Sequence, residues 1–173
     1  LKRDKAESIM SIEPRKAADE RPHAPSCPGG PVSALSPGEQ TVVQVLRLIC
    51  LSYARPQSQA WEQALLTAQS GFGAGLGGEV AVAVMRLMRA IRAVRQTTFR
   101  FRDPACPCCR TSLSDQEGRV LAMVRAAMAD PVHPAIIDAM ILCEGGPANR
   151  VLLEADRLAG LLHRRNETHQ RAA

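Results

Sequence analysis

Two start signals of the same form, Ser36-Pro-Gly-Glu39 and Ser114-Asp-Gln-Glu117, stand before apolar runs spaced for one face of a helix, and they constrain the fold more than any other feature. In each, the serine hydroxyl accepts from the backbone three residues on while the glutamate reaches back, satisfying two N–H groups that a helix start leaves open. After the first signal, Val42, Val45, Leu46, Ile49, Cys50 and Tyr53 recur on one stripe until Arg55-Pro56 stops the run. After the second, a helix is predicted to about Ala129, where Asp130-Pro131 ends it.

The same period predicts four further helices. A short one over 58–69 carries Trp61, Leu65 and Leu66, and a long one over 79–96 carries Val80, Val84, Leu87, Met88, Ile91 and Val94. His133-Pro134 opens another that runs to Cys143, and the last extends from Pro147 to Arg165, with acids early and arginines late as its dipole prefers. Thr97–Arg102 alternates Phe99 and Phe101 with Arg100 and Arg102, the one strand-like run. The expected fold is all-α, an orthogonal bundle of about six helices with a disordered N-terminal tail and one short extended segment. With only five aromatics in 173 residues, the chain also lacks the stacking platform of sheet-type single-strand binders.

Residues 1–35 hold five prolines and no apolar period, so a disordered Pro-rich tail is expected there, a helical domain over 36–166 and a frayed tail over 167–173. Residues 1–9 are read as uninformative, with Met10 a candidate start. The uncharged stretch 63–78 is diluted by Gln, Ser and five glycines, and the charged first residues lead into no apolar segment. No membrane span and no secretory signal are therefore expected, and the cytoplasm is the expected compartment. Every positive side chain after Lys16 except histidine is an arginine, a bias of GC-rich genomes that suggests a bacterial source.

Cys106-Pro-Cys-Cys109 is the most specific chemical feature. A C-P-x-C pair points two thiolates at one ion but supplies half of a tetrahedral zinc site. Cys143 and His133 are the expected completing ligands, with His23 and Cys27 as the other set; neither is forced by spacing. Loop 103–114 has almost no apolar residues to hold it, so a metal shared with Cys143 would fix it, with Cys108 as a bystander. The alternatives for the cluster are thiol-redox or iron–sulfur chemistry and inert loop thiols; Cys50 reads as a small core residue.

Gly71–Gly78 has five glycines in eight residues and a formal G-x-G-x-x-G, but no strand precedes it, so an interhelical turn allowing close helix approach is predicted in place of a dinucleotide site. Between Glu79 and Asp103 no acid interrupts Arg86, Arg89, Arg92, Arg95, Arg100 and Arg102, a positive region suited to nucleic acid or a protein partner. Three-residue steps drift by about 60° on a helix, so the helical arginines spiral. No nucleophile elbow, H-E-x-x-H or P-loop is present. The expected function is a small intracellular, non-enzymatic regulatory or assembly protein acting by macromolecular binding, with a zinc knuckle; the alternatives are a nucleic-acid-binding transcriptional regulator and a thiol-redox or iron–sulfur protein.

Overall fold

The computed structural model describes residues 10–12, 30–129 and 134–172; His23, Cys27 and His133 lie outside the described residues. The protein is mostly helical. Helices α1 (Pro37–Ala54), α2 (Ala60–Val94), α3 (Asp115–Ala129), α4 (Pro134–Leu142) and α5 (Asn149–Ala172) follow one another with two three-residue strands, β1 (Met10–Ile12) and β2 (Phe99–Phe101), the second inside the long connection from α2 to α3. Helix α1 packs on α2, α2 on α5, and α3 on both α4 and α5.

Both start signals form reciprocal caps. At α1, Glu39 N donates to Ser36 Oγ at 3.4 Å and Ser36 N to Glu39 Oε2 at 2.9 Å. At α3 the matching distances are 3.1 and 2.8 Å. The predicted stripes meet in one core: Val42, Val45, Leu46, Ile49 and Cys50 of α1 face Val80, Val84, Leu87, Met88 and Ile91 of α2, closed by Val120 and Val124 of α3 and by Val151 and Leu158 of α5.

The glycine stretch is narrower as a turn than the sequence predicts. Residues 71–78 are helical except at Gly73, whose φ of 81° and ψ of 163° break the Ala60–Val94 run into two arms. Where two helices joined by an eight-residue turn are expected, one kinked run is found, and the described residues hold five helical runs. The predicted close approach is present: a Cβ at Gly77 would stand 2.5 Å from Gln69 Cα and 2.6 Å from Ala68 O.

By length and composition alone α2 is long and apolar enough to cross a membrane, because alanine and valine raise the mean hydropathy of its best window to 1.2. Its stripe from Val80 to Ile91 lies in the core.

Two parts of the expected tail have defined places. Met10–Ile12 pairs in parallel with β2, Met10 opposite Phe99 and Ile12 opposite Phe101. Gly30 accepts from Leu113 N at 3.2 Å, Pro31 bridges Ser112, and Leu35 is buried. Order here comes from the partner: Phe99 and Phe101 are fully buried and leave an edge for β1 to pair. At the other end, α5 stays helical to Ala172, beyond the expected stop, since no Gly or Pro follows Arg165.

The corner between α2 and β2 is held from the turn that follows α4. Glu144, in the left-handed region at φ 55°, accepts from Gln96 N at 2.7 Å and Thr97 N at 3.1 Å and takes the Thr97 hydroxyl. That hydroxyl bond, with the two amides and Arg95, holds the Glu144 carboxyl below its usual range. The Arg125 guanidinium, 2.5 Å from Glu39, lowers Glu39 to about 2. Carboxyls depressed in the folded state stabilise it above their unfolded pKa, and that stability is lost as pH falls from about 4.5 toward 2. Urea melts at pH ~7 and ~3 should therefore show an acid-dependent loss that shrinks in Glu39→Gln and Glu144→Gln. Arg125 is half exposed, so the Glu39 share should be that of a screened pair, about 0.2–1 kcal/mol. Equal acid sensitivity in both variants and wild type would refute the assignment.

Candidate metal centre

After β2, the chain turns through an Asx-type loop, with Ala105 N donating to Asp103 Oδ1 at 2.9 Å and Cys106 N to Asp103 O at 3.2 Å. Arg110 N then donates to Cys106 O at 3.0 Å, and Cys109–Thr111 closes as a single 3-10 turn. These two turns fold the C-P-C-C segment back on itself. The sulfurs of Cys106, Cys108 and Cys109 all lie within 4.8 Å of one another, and Cys106 Sγ is 3.2 Å from Cys108 Sγ. Four sulfurs around zinc at about 2.3 Å would stand roughly 3.8 Å apart, so small rotations would bring all three onto one ion. Three close cysteines could thus hold a metal ion.

The electrostatics suit that use. Hydrogen bonds from the Cys109 and Cys108 thiols and backbone amides lower Cys106 to about 7, with Cys109 the larger influence. Burial, followed by the Cys106 sulfur it serves, raises Cys109 to about 12. An incoming cation would displace the protons that the sulfurs carry.

Cys108 is brought into the trio, whereas the sequence pattern reads it as a bystander; three cysteines within four positions is the signal that marks it. Cys143, expected as a ligand, lies in the hydrophobic core, where burial raises its thiol and its charged neighbours are Arg95 and Glu144. It does not belong to the three-sulfur group. His133 lies outside the described residues. Cys50 is a core residue as expected, fully buried, its thiol pushed up by desolvation.

The loop is not held in the way its composition suggests. Arg47, on the buried face of α1, donates Nη1 to Arg110 O at 2.9 Å and Nη2 to Ser112 O at 2.6 Å. Its Nε and Nη2 also bind both oxygens of Glu117, at 2.7 and 2.9 Å, with both side chains essentially buried. Glu117 in turn caps α3 and accepts Arg102 N at 3.1 Å. One buried ion pair therefore joins α1, the end of β2, the cysteine loop and α3. Polar tethers supply the closure expected of a metal shared with Cys143, and nothing in the spacing of Arg47 marks it for this role.

The six arginines divide. Arg86, Arg89 and Arg100 are exposed, and Arg102 is half-buried. Arg92 lies over the Tyr53 ring, 4.4 Å from its centroid. Arg95 turns inward, only 5% exposed, and binds Leu142 O at 2.7 Å, Thr97 Oγ1 at 2.9 Å and Glu144 at 2.9 Å. It is a structural clamp and is out of reach of a phosphate. Exposed Arg100 and Arg110 stand on either side of the cysteines in sequence. Against protein-family models, curated proteins and solved structures alike, the chain finds no match.

Proposed function

We propose that this chain is a non-enzymatic helical protein that binds one thiophilic metal ion, zinc first among them, through Cys106, Cys108 and Cys109, and docks a macromolecule. The convergence of three sulfurs within 4.8 Å on a loop anchored at both ends carries the reading. Thiolates select soft cations, and three ligands leave a fourth position for a group from elsewhere in the chain, from water or from a partner. A protein partner is favoured over nucleic acid by two observations. Arg95 is withdrawn from the basic region, and α4 exposes Ile137, Met140 and Ile141, a row of large apolar side chains that a phosphate backbone does not match.

Protein purified without chelator should carry one equivalent of metal. At free zinc about 100-fold above Kd, binding is worth about 2.7 kcal/mol, so chelation should lower Tm by about 5–10 °C. Cys106→Ser, Cys108→Ser and Cys109→Ser should each weaken binding, and Cys143→Ser should leave stoichiometry intact. Metal-free protein whose melt ignores both zinc and chelator would overturn the metal reading. Tight binding of non-specific duplex that weakens steeply with salt, and flattens in Arg86→Gln/Arg89→Gln, would overturn the protein-partner reading in favour of nucleic acid.

A further inference from the structure

From the placement of the three sulfurs we infer that the cluster is also a modification site for hydrogen peroxide, which joins Cys106 and Cys108 in a disulfide and thereby dismantles the metal site. The inference rests on the metal reading of the same cysteines, and deepens it by giving the site two exclusive states.

The geometry supplies access, a resolving partner and a consequence. Cys108 is the exposed member of the trio, whereas Cys106 and Cys109 are half-buried, so a small oxidant meets the Cys108 sulfur first. Cys106 Sγ waits 3.2 Å away, so the second step needs only a change of rotamer in a surface loop. The five described cysteines are free thiols, so the cluster is reduced here. Both cysteines lie in a segment whose two ends are fixed by Asp103 and Arg47, so closing the bond leaves the helices where they are.

In the first step the Cys108 sulfur lone pair attacks one peroxide oxygen. An S–O bond forms, the O–O bond breaks, and the departing hydroxide takes the thiol proton to leave as water. In the second, the Cys106 sulfur attacks the sulfenic sulfur of Cys108; an S–S bond forms, the S–O bond breaks, and hydroxide leaves with the Cys106 proton as a second water. Two thiols and one peroxide give one disulfide and two waters, with both sulfurs oxidised and both oxygens reduced. A metal held by three sulfurs then keeps one thiolate ligand, Cys109, and is released. A disulfide across one intervening residue closes a small ring, and strained, exposed disulfides are readily reduced, so a dithiol should restore the site.

The test uses the full reduced chain, once loaded with one equivalent of zinc and once metal-free, and titrates each with hydrogen peroxide. Wild type should lose two of its six thiols and the mass of two hydrogens, release its zinc, and regain it after a dithiol reductant. Cys109→Ser should still form the disulfide. Cys108→Ser should keep its remaining thiols at the dose that oxidises wild type, and Cys106→Ser should stop at a sulfenic acid that a cyclic 1,3-dione traps. A disulfide forming in Cys108→Ser as readily as in wild type would overturn the pairing, and thiols untouched in wild type would overturn the site. Failure of the reduced protein to take up zinc would refute the metal reading alone, because the metal-free arm still decides whether the disulfide forms.

Discussion

Arg47→Met is expected to be the most damaging single substitution near the cysteine cluster, at about 3–5 kcal/mol, the usual cost of breaking a buried ion pair from one side. The change leaves the Glu117 carboxylate fully buried without its counter-ion and takes the donors from the Arg110 and Ser112 carbonyls. On a chain of this size the loss corresponds to a fall in Tm of about 6–20 °C. Arg47→Lys should recover little, because a single ammonium cannot serve two carboxylate oxygens and two carbonyls from one position. The double change Arg47→Met/Glu117→Leu should be less damaging than the two singles added together, since no charge is then stranded. It should still lose about 1 kcal/mol for the α3 cap. Chemical melts of wild type, the three single variants (Arg47→Met, Arg47→Lys and Glu117→Leu) and the double variant, with zinc affinity beside them, check the argument. A fall below about 1 kcal/mol in Arg47→Met would show that the pair clamps nothing.

Gly77→Val should also destabilise, by about 1–3 kcal/mol or more, by overpacking where neither side can yield. The added carbon would meet Gln69 Cα at 2.5 Å and Ala68 O at 2.6 Å, both of them backbone. The helical neighbours Gly75 and Gly78 face open space, with nothing within 4 Å of a built Cβ. Replacing either with alanine should raise stability by roughly 0.5–1 kcal/mol, the helix-propensity difference. The glycines of one motif thus divide by sign. If Gly77→Val melts like Gly75→Ala, the close approach of the two arms of α2 is not a packing constraint.

The chain's helices were legible because their signals are local. A capping serine and its glutamate are three residues apart, and an apolar stripe repeats every three or four, so Ser36–Glu39, Ser114–Glu117 and the core faces of α1 and α2 can be read without knowing what lies opposite. The cysteine segment was legible for the same reason, since three sulfurs within four positions share a turn. What tertiary structure alone decided is where polar groups go when they are buried. Arg47 finds Glu117 seventy residues away in sequence, and Arg95 finds Leu142 forty-seven away. Neither distance leaves a trace in periodicity, and an arginine on a helix reads as solvated until the fold supplies its partners. Strand β1 is a further case: Met10–Ile12 has no pattern of its own, and is ordered because β2 offers unpaired backbone donors and acceptors. So local hydrogen bonding and apolar period determined the helices and the thiol cluster, while the need to satisfy every buried charge and backbone group determined how the loop bearing that cluster is held.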